Sequence, residues 1–154
     1  MLDAPVDSWY VWVGLALVAA ATIGTATGFS TAPPPDARAA AATVDRVAVA
    51  DHGATGRHPV DADAVKLEPH RLSLRDDGRT THARFAESVT PVRTGTALWR
   101  VLRGGRPADA LDGPSALRTA AAAAREDSAR WQRTGQLFVR TVTWEGVDVT
   151  LVGA

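Results

Sequence analysis

Three kinds of hydrophobic pattern divide this chain. The first is an unbroken run: residues 9–29 read WYVWVGLALVAAATIGTATGF, and no Asp, Glu, Lys, Arg or His occurs between Asp7 and Asp36. As a helix rising about 1.5 Å per residue, that run would be roughly 31 Å long, the thickness of a bilayer core. The second pattern is helical spacing. Ala37, Ala40, Ala41, Val44, Val47 and Ala48 share one face behind Asp36, a good N-cap, and Gly53 is placed to end the helix. The third is strict alternation. Val147, Val149 and Leu151 point one way and their polar neighbours the other, as in a half-buried strand.

The same patterns order the rest of the chain. Residues 52–63 read as a loop, HGATGRHPVDAD. Residues 65–86 read as a β-hairpin: Leu72 and Leu74 alternate with Arg71, Ser73 and Arg75, Asp76-Asp77-Gly78 supplies a tight turn, and Thr81, Ala83 and Phe85 alternate with His82 and Arg84. Pro69 marks an edge or a bend in its first strand. A short extended stretch surrounds Pro91, and Thr96 or Gly95 caps a helix over residues 97–103 that Arg103-Gly104-Gly105-Arg106-Pro107 breaks. Gly113-Pro114-Ser115 opens a further helix containing five consecutive alanines, 120–124, with Trp131 just beyond its end. Residues 136–144, QLFVRTVTW, give the clearest strand, joined through Glu145-Gly146 to the last one.

This order predicts an α+β fold. It consists of an N-terminal transmembrane helix followed by a small domain. The domain has an antiparallel sheet of about four strands in two hairpins, covered on one face by two to three helices. The expected divisions are a tail and span over residues 1–31, a Pro-rich linker over 32–36 and the domain over 37–154. Ala32-Pro33-Pro34-Pro35 both stops the first helix and stiffens the tether, because proline lacks an amide donor and favours extended geometry.

The N-terminal run competes with two other readings, a cleaved secretory signal and a buried core helix. A signal needs a basic leading region, and residues 1–8 contain Asp3 and Asp7 but no Lys or Arg, although Ala19-Ala20-Ala21 is a small-residue site. Trp9, Tyr10 and Trp12 at one end and Phe29 at the other suit the membrane interface. Ala20, Gly24 and Gly28 lie four apart, a stripe of small residues through which another helix could pack and the chain oligomerise in the membrane. Orientation is thinly marked: Arg38 and Arg46 follow the run and none precedes it, which by the positive-inside rule places the domain in the cytoplasm.

Composition narrows the function. Seventeen basic and seventeen acidic residues leave no net charge, which argues against a nucleic-acid binder. Cysteine is absent, excluding disulfides and thiolate metal sites, and asparagine is absent, excluding N-glycosylation. The basic set is sixteen arginines and Lys66 alone, against thirteen Asp and four Glu, a texture that resembles that of GC-rich, salt-adapted genomes. His52, His58, Asp61 and Asp63 are metal-ligand types, but a Gly-containing loop does not hold them convergent. Asp61-Ala62-Asp63 matches an Asp-x-Asp pair without any phosphate loop beside it. His70 and His82 could face each other across the hairpin, and Arg100, Arg103 and Arg106 could meet an anionic headgroup; solvated faces are the plainer reading of both. No Gly-x-Ser-x-Gly elbow exists, and Asp76-Asp77 sits in a turn. The sequence therefore predicts no catalytic residue, no metal and no cofactor.

Four segments carry a resemblance: DAPVDSWYVWVGLALV, TAPPPDA, HPVDADAVKL and WEGVDVTLVGA. Across essentially the whole chain they resemble an uncharacterised family of small haloarchaeal single-span membrane proteins. That family is similar in gene company and layout to components of type IV pilus-like or type II secretion-like systems. The resemblance implies a pilin-like or accessory structural role, with lipid and protein partners and the domain outside the cell. The triple proline after the run and the absence of a convincing processing site depart from true pilins. The expectation is a membrane-anchored structural or accessory protein, not an enzyme. The alternative is a membrane-tethered ligand-binding or sensor module with a cytoplasmic domain.

Overall fold

The computed structural model describes residues 34–154, a compact unit separate from residues 1–33. Residues Trp9, Tyr10, Trp12, Ala20, Gly24, Gly28 and Phe29, on which the membrane expectation rests, lie outside the described residues.

The first helix, α1 (Ala37–Ala48), begins where the sequence places it. Asp36 caps it by accepting from the Ala39 N–H at 2.9 Å. Ala37, Ala40, Ala41, Val44 and Val47 are its buried stripe. It ends before Gly53, which instead serves the following turn with φ +83°. Four strands follow: β1 (Thr55–Pro59), β2 (Ala64–Glu68), β3 (Arg71–Asp76) and β4 (Arg79–Arg84). Next come β5 (Thr90–Val92), α2 (Ala97–Leu102), the single turn α3 (Pro107–Ala110) and α4 (Pro114–Glu126). The hairpin β6 (Gln136–Trp144) and β7 (Val147–Gly153) closes the chain.

The fold is α+β, but the expected architecture needs correcting. Instead of one antiparallel sheet of four strands there are two sheets: a four-stranded sheet ordered β1-β6-β7-β5 and a three-stranded sheet ordered β2-β3-β4. Within the larger sheet β5 runs parallel to β7. The helices lie on both faces of that sheet, not one. α1 packs against β1 and β6 and also against β3 and β4, whereas α2 and α4 pack against β5 and β7. Among the described residues no helix is long and apolar enough to cross a membrane. The expected transmembrane element therefore forms no part of the described fold.

Each error has a physical source. β1, TGRHP, falls in the stretch read as a loop because only tertiary pairing marks it: Arg57 lies opposite Phe138 and Thr55 opposite Arg140 on β6. Gly56 is needed there, since a Cβ would stand 2.6 Å from Val47 Cγ2 of α1. The expected hairpin over 65–86 is a three-stranded meander, and Pro69 sits in the turn between β2 and β3 rather than in a strand. Consequently His82 pairs with Ser73, not with His70. The two tight turns are as expected. Asp77-Gly78 and Glu145-Gly146 all have positive φ, the two-residue geometry that matches strand twist.

The larger sheet divides the interior in two. Leu137, Val139 and Val152 face α1 and the smaller sheet, meeting Val44, Val65, Leu72 and Leu74. Val142, Val147, Val149 and Leu151 face the other way, onto Leu98, Val101 and Leu117. The alternation seen in β7 is thus real: Asp148 stays exposed and Thr150 half-buried, but the strand is interior to its sheet and its C-terminal end, where Val152 joins the first core, is covered on both faces.

Close packing on the second face generates a prediction. A Cβ at Gly153 would lie 2.6 Å from Leu102 Cδ2, 2.8 Å from Trp99 Cζ3 and 3.1 Å from the Val92 carbonyl oxygen. Gly153→Ala should cost about 1–3 kcal/mol, seen as a lowered urea midpoint. Thr90 is fully buried and its hydroxyl has no hydrogen-bond partner. Thr90→Val keeps its shape and should raise stability by about 1 kcal/mol in the same measurement.

Candidate functional site

A cleft of about 550 Å³ lies between α4, the start of α2, the end of β5 and residues 127–132. Alanines create it. On α4, Leu117 and Ala121 turn into the core, leaving Ala120, Ala123 and Ala124 as a shallow wall. Leu67, Val92 and Leu98 supply an apolar floor. A longer side chain at positions 120, 123 or 124 would fill the space, so the five-alanine run shapes the cleft.

Its rim is polar and tied down. Arg93, just after β5, places Nη1 2.6 Å from Asp127 Oδ2 and donates from Nη2 to the Ser128 carbonyl at 2.8 Å. Asp127 is the C-cap of α4, so this bridge holds the helix end to the sheet. Both partners are 44% exposed, which limits the ion pair to under about 1 kcal/mol. Trp131 forms the opposite rim, with the Arg75 guanidinium carbon 4.6 Å and Lys66 Nζ 5.7 Å from its ring centre. Reciprocal backbone bonds of 2.8 and 2.9 Å between Val65 and Gln132 secure that segment to β2.

The residues singled out in the sequence scatter. His58 stands on β1 with Nδ1 3.1 Å from the Thr43 hydroxyl. The same hydroxyl also lies 3.1 Å from the Ala39 carbonyl oxygen. His52 remains exposed. Asp61 and Asp63 lie near Asp76 and Asp77, and Asp63 accepts from the Asp77 N–H at 3.2 Å. Among the described residues no three His, Asp or Glu side chains gather as a metal site. The Asp76 carboxyl is held above its usual range, first by desolvation and then by Asp77, Asp63 and Asp61. Glu68 is pushed the other way, chiefly by its hydrogen bond from Arg71 at 2.7 Å.

Sequence reasoning missed Arg140. It is half-buried on β6 and donates to the carbonyls of Val101 and Gly105, closing the C-terminal end of α2. An arginine alternating with Val139 and Thr141 gives no sign of this, because its partners lie 35 and 39 residues away.

Residues 3–142 match a family of unknown function, DUF7283, over most of the chain. The chain belongs to that family. No curated protein and no solved structure matches it. The expected resemblance is thereby shown at the level of an uncharacterised family over residues 3–142, which leaves the segment WEGVDVTLVGA at 144–154 outside the match.

The acidic corner predicts a sign. Because the folded pKa of Asp76 is raised, its contribution favours the fold below the ordinary carboxylate range and is lost as pH rises through the folded value. Asp76→Asn should therefore raise the melting temperature at neutral pH, with the gain vanishing in acid, as read by calorimetry at both pH values.

Proposed function

We propose that this protein is a membrane-anchored structural or accessory component of a cell-surface, pilus-like or secretion-like assembly, acting through protein–protein contacts. The observation that carries the reading is the charge-free apolar run over residues 9–29 ahead of a separately compact unit at 34–154. Lipid is the favourable solvent for such a run, and a stiff Ala-Pro-Pro-Pro tether suits a folded head held close to a surface. The haloarchaeal affinity is supported by the arginine- and aspartate-rich composition.

The cleft supports contact rather than bond-breaking. Its wall is alanine and aliphatic, and its one carboxylate, Asp127, is engaged by Arg93. The same cleft favours a second reading, a membrane-tethered module that binds a small ligand, since an apolar recess with a few fixed polar groups is the usual form of such sites.

In the first reading the full-length chain stays with the membrane pellet after carbonate and high-salt extraction; its release into the supernatant would overturn the anchor. Protease added to intact cells separates the readings. Digestion of the domain fits a surface assembly, and protection fits the cytoplasmic sensor. Ala123→Arg should fill the cleft, abolishing partner or ligand capture while leaving membrane retention unchanged.

A further inference from the structure

On the face of the larger sheet that carries α2 and α4, Phe138 is only half-buried and its ring is shared by two cations. The Arg103 guanidinium carbon lies 4.0 Å from the ring centre and that of Arg57 5.8 Å from the same centre. By the triangle rule about 10 Å at most separates the two guanidinium carbons. Trp99 meets Phe138 edge-on at 6.1 Å, and Arg103 also lies 5.9 Å from the Trp99 ring. Arg100 and Arg106 are exposed on and beside the same short helix. Among the described residues none of these four arginines forms an ion pair. Arg100, Arg103 and Arg106 are neighbours in the sequence, and the pairing of β1 with β6 adds Arg57 to them.

We propose that the Arg57–Phe138–Arg103 platform binds a phosphate-type oxyanion. Guanidinium groups match phosphate oxygens with paired N–H donors, whereas a lysine offers only a point charge. The rings hold both guanidiniums in place before the anion arrives, so little side-chain freedom is lost on binding. An anion bound beside either guanidinium also offsets the repulsion of two like charges held at one ring. The phosphate can be free or carried on a lipid headgroup, and the proposal does not depend on the membrane reading.

The test uses the full-length chain in a neutral detergent at low ionic strength. Calorimetric titration with inorganic pyrophosphate forms one arm. Short-chain phosphatidylglycerol against short-chain phosphatidylcholine forms the other. Binding of pyrophosphate or of phosphatidylglycerol, but not of phosphatidylcholine, is expected. It should weaken about tenfold or more in Arg103→Gln and further in Arg57→Gln/Arg103→Gln. Arg103→Lys should fall between, and Arg118→Gln, an exposed arginine on α4, should bind as wild type. Binding confined to the lipid arm assigns the phosphate to a headgroup. Absence of binding in both arms overturns the proposal, as does equal weakening in the Arg118→Gln control. Should Arg103→Gln fail to fold, Arg57→Gln on the exposed edge strand carries the same expectation.

Discussion

The requirement that both faces of the β6–β7 hairpin be covered governs the rest of the molecule. Nine residues of β6 and seven of β7 place large apolar side chains on opposite sides of one sheet. Leu137, Val139 and Val152 demand cover on one side, and Val142, Val147, Val149 and Leu151 on the other. A single layer of helices cannot satisfy both. The chain answers with α1 and the three-stranded sheet on the first face and α2 to α4 on the second. β1 and β5 then extend the hairpin at its two edges, and β5 can run parallel to β7 because three helices and β6 intervene between them in sequence.

The two covers differ in character, and the surface features follow from that difference. The first is well filled by valines and leucines from α1 and the small sheet. The second relies on a short α2, a single-turn α3 and an alanine-rich α4. Small residues on α4 leave the cleft, and the shortness of α2 leaves Phe138 half-covered, to be finished by arginine side chains. The Phe138 platform therefore lies on the thinner side of the sheet, and the cleft opens at the β5 edge, where Leu67 of β2 joins Val92 and Leu98 in its floor.

Arginine performs several distinct tasks here. Sixteen are present, yet the described residues show only three ion pairs, two of them with arginine. Arg140 closes a helix end, Arg75 covers Trp131, and Arg57 and Arg103 cover Phe138. The planar, weakly hydrated guanidinium can lie on a ring or bridge two carbonyls while remaining partly in water, which the lysine ammonium does less readily.

Local chemistry was legible in the sequence wherever it was decided locally. The Asp36 and Thr96 caps, the two positive-φ turns, the alanine helix and the closing hairpin follow from contacts among near neighbours in the chain. The layering was not legible. β1 has no hydrophobic alternation of its own and becomes a strand because β6 offers it an unpaired edge. The meeting of Arg57 with Arg103 on one ring, and of α4 with β5 around a cleft, joins residues far apart in sequence through backbone pairing and two-sided burial. The amino-acid order alone determined where elements start and turn, because capping and turn geometry act over a few residues. Which strands became neighbours, and which side chains meet on their faces, was decided only when a long hairpin had to hide both of its sides from water.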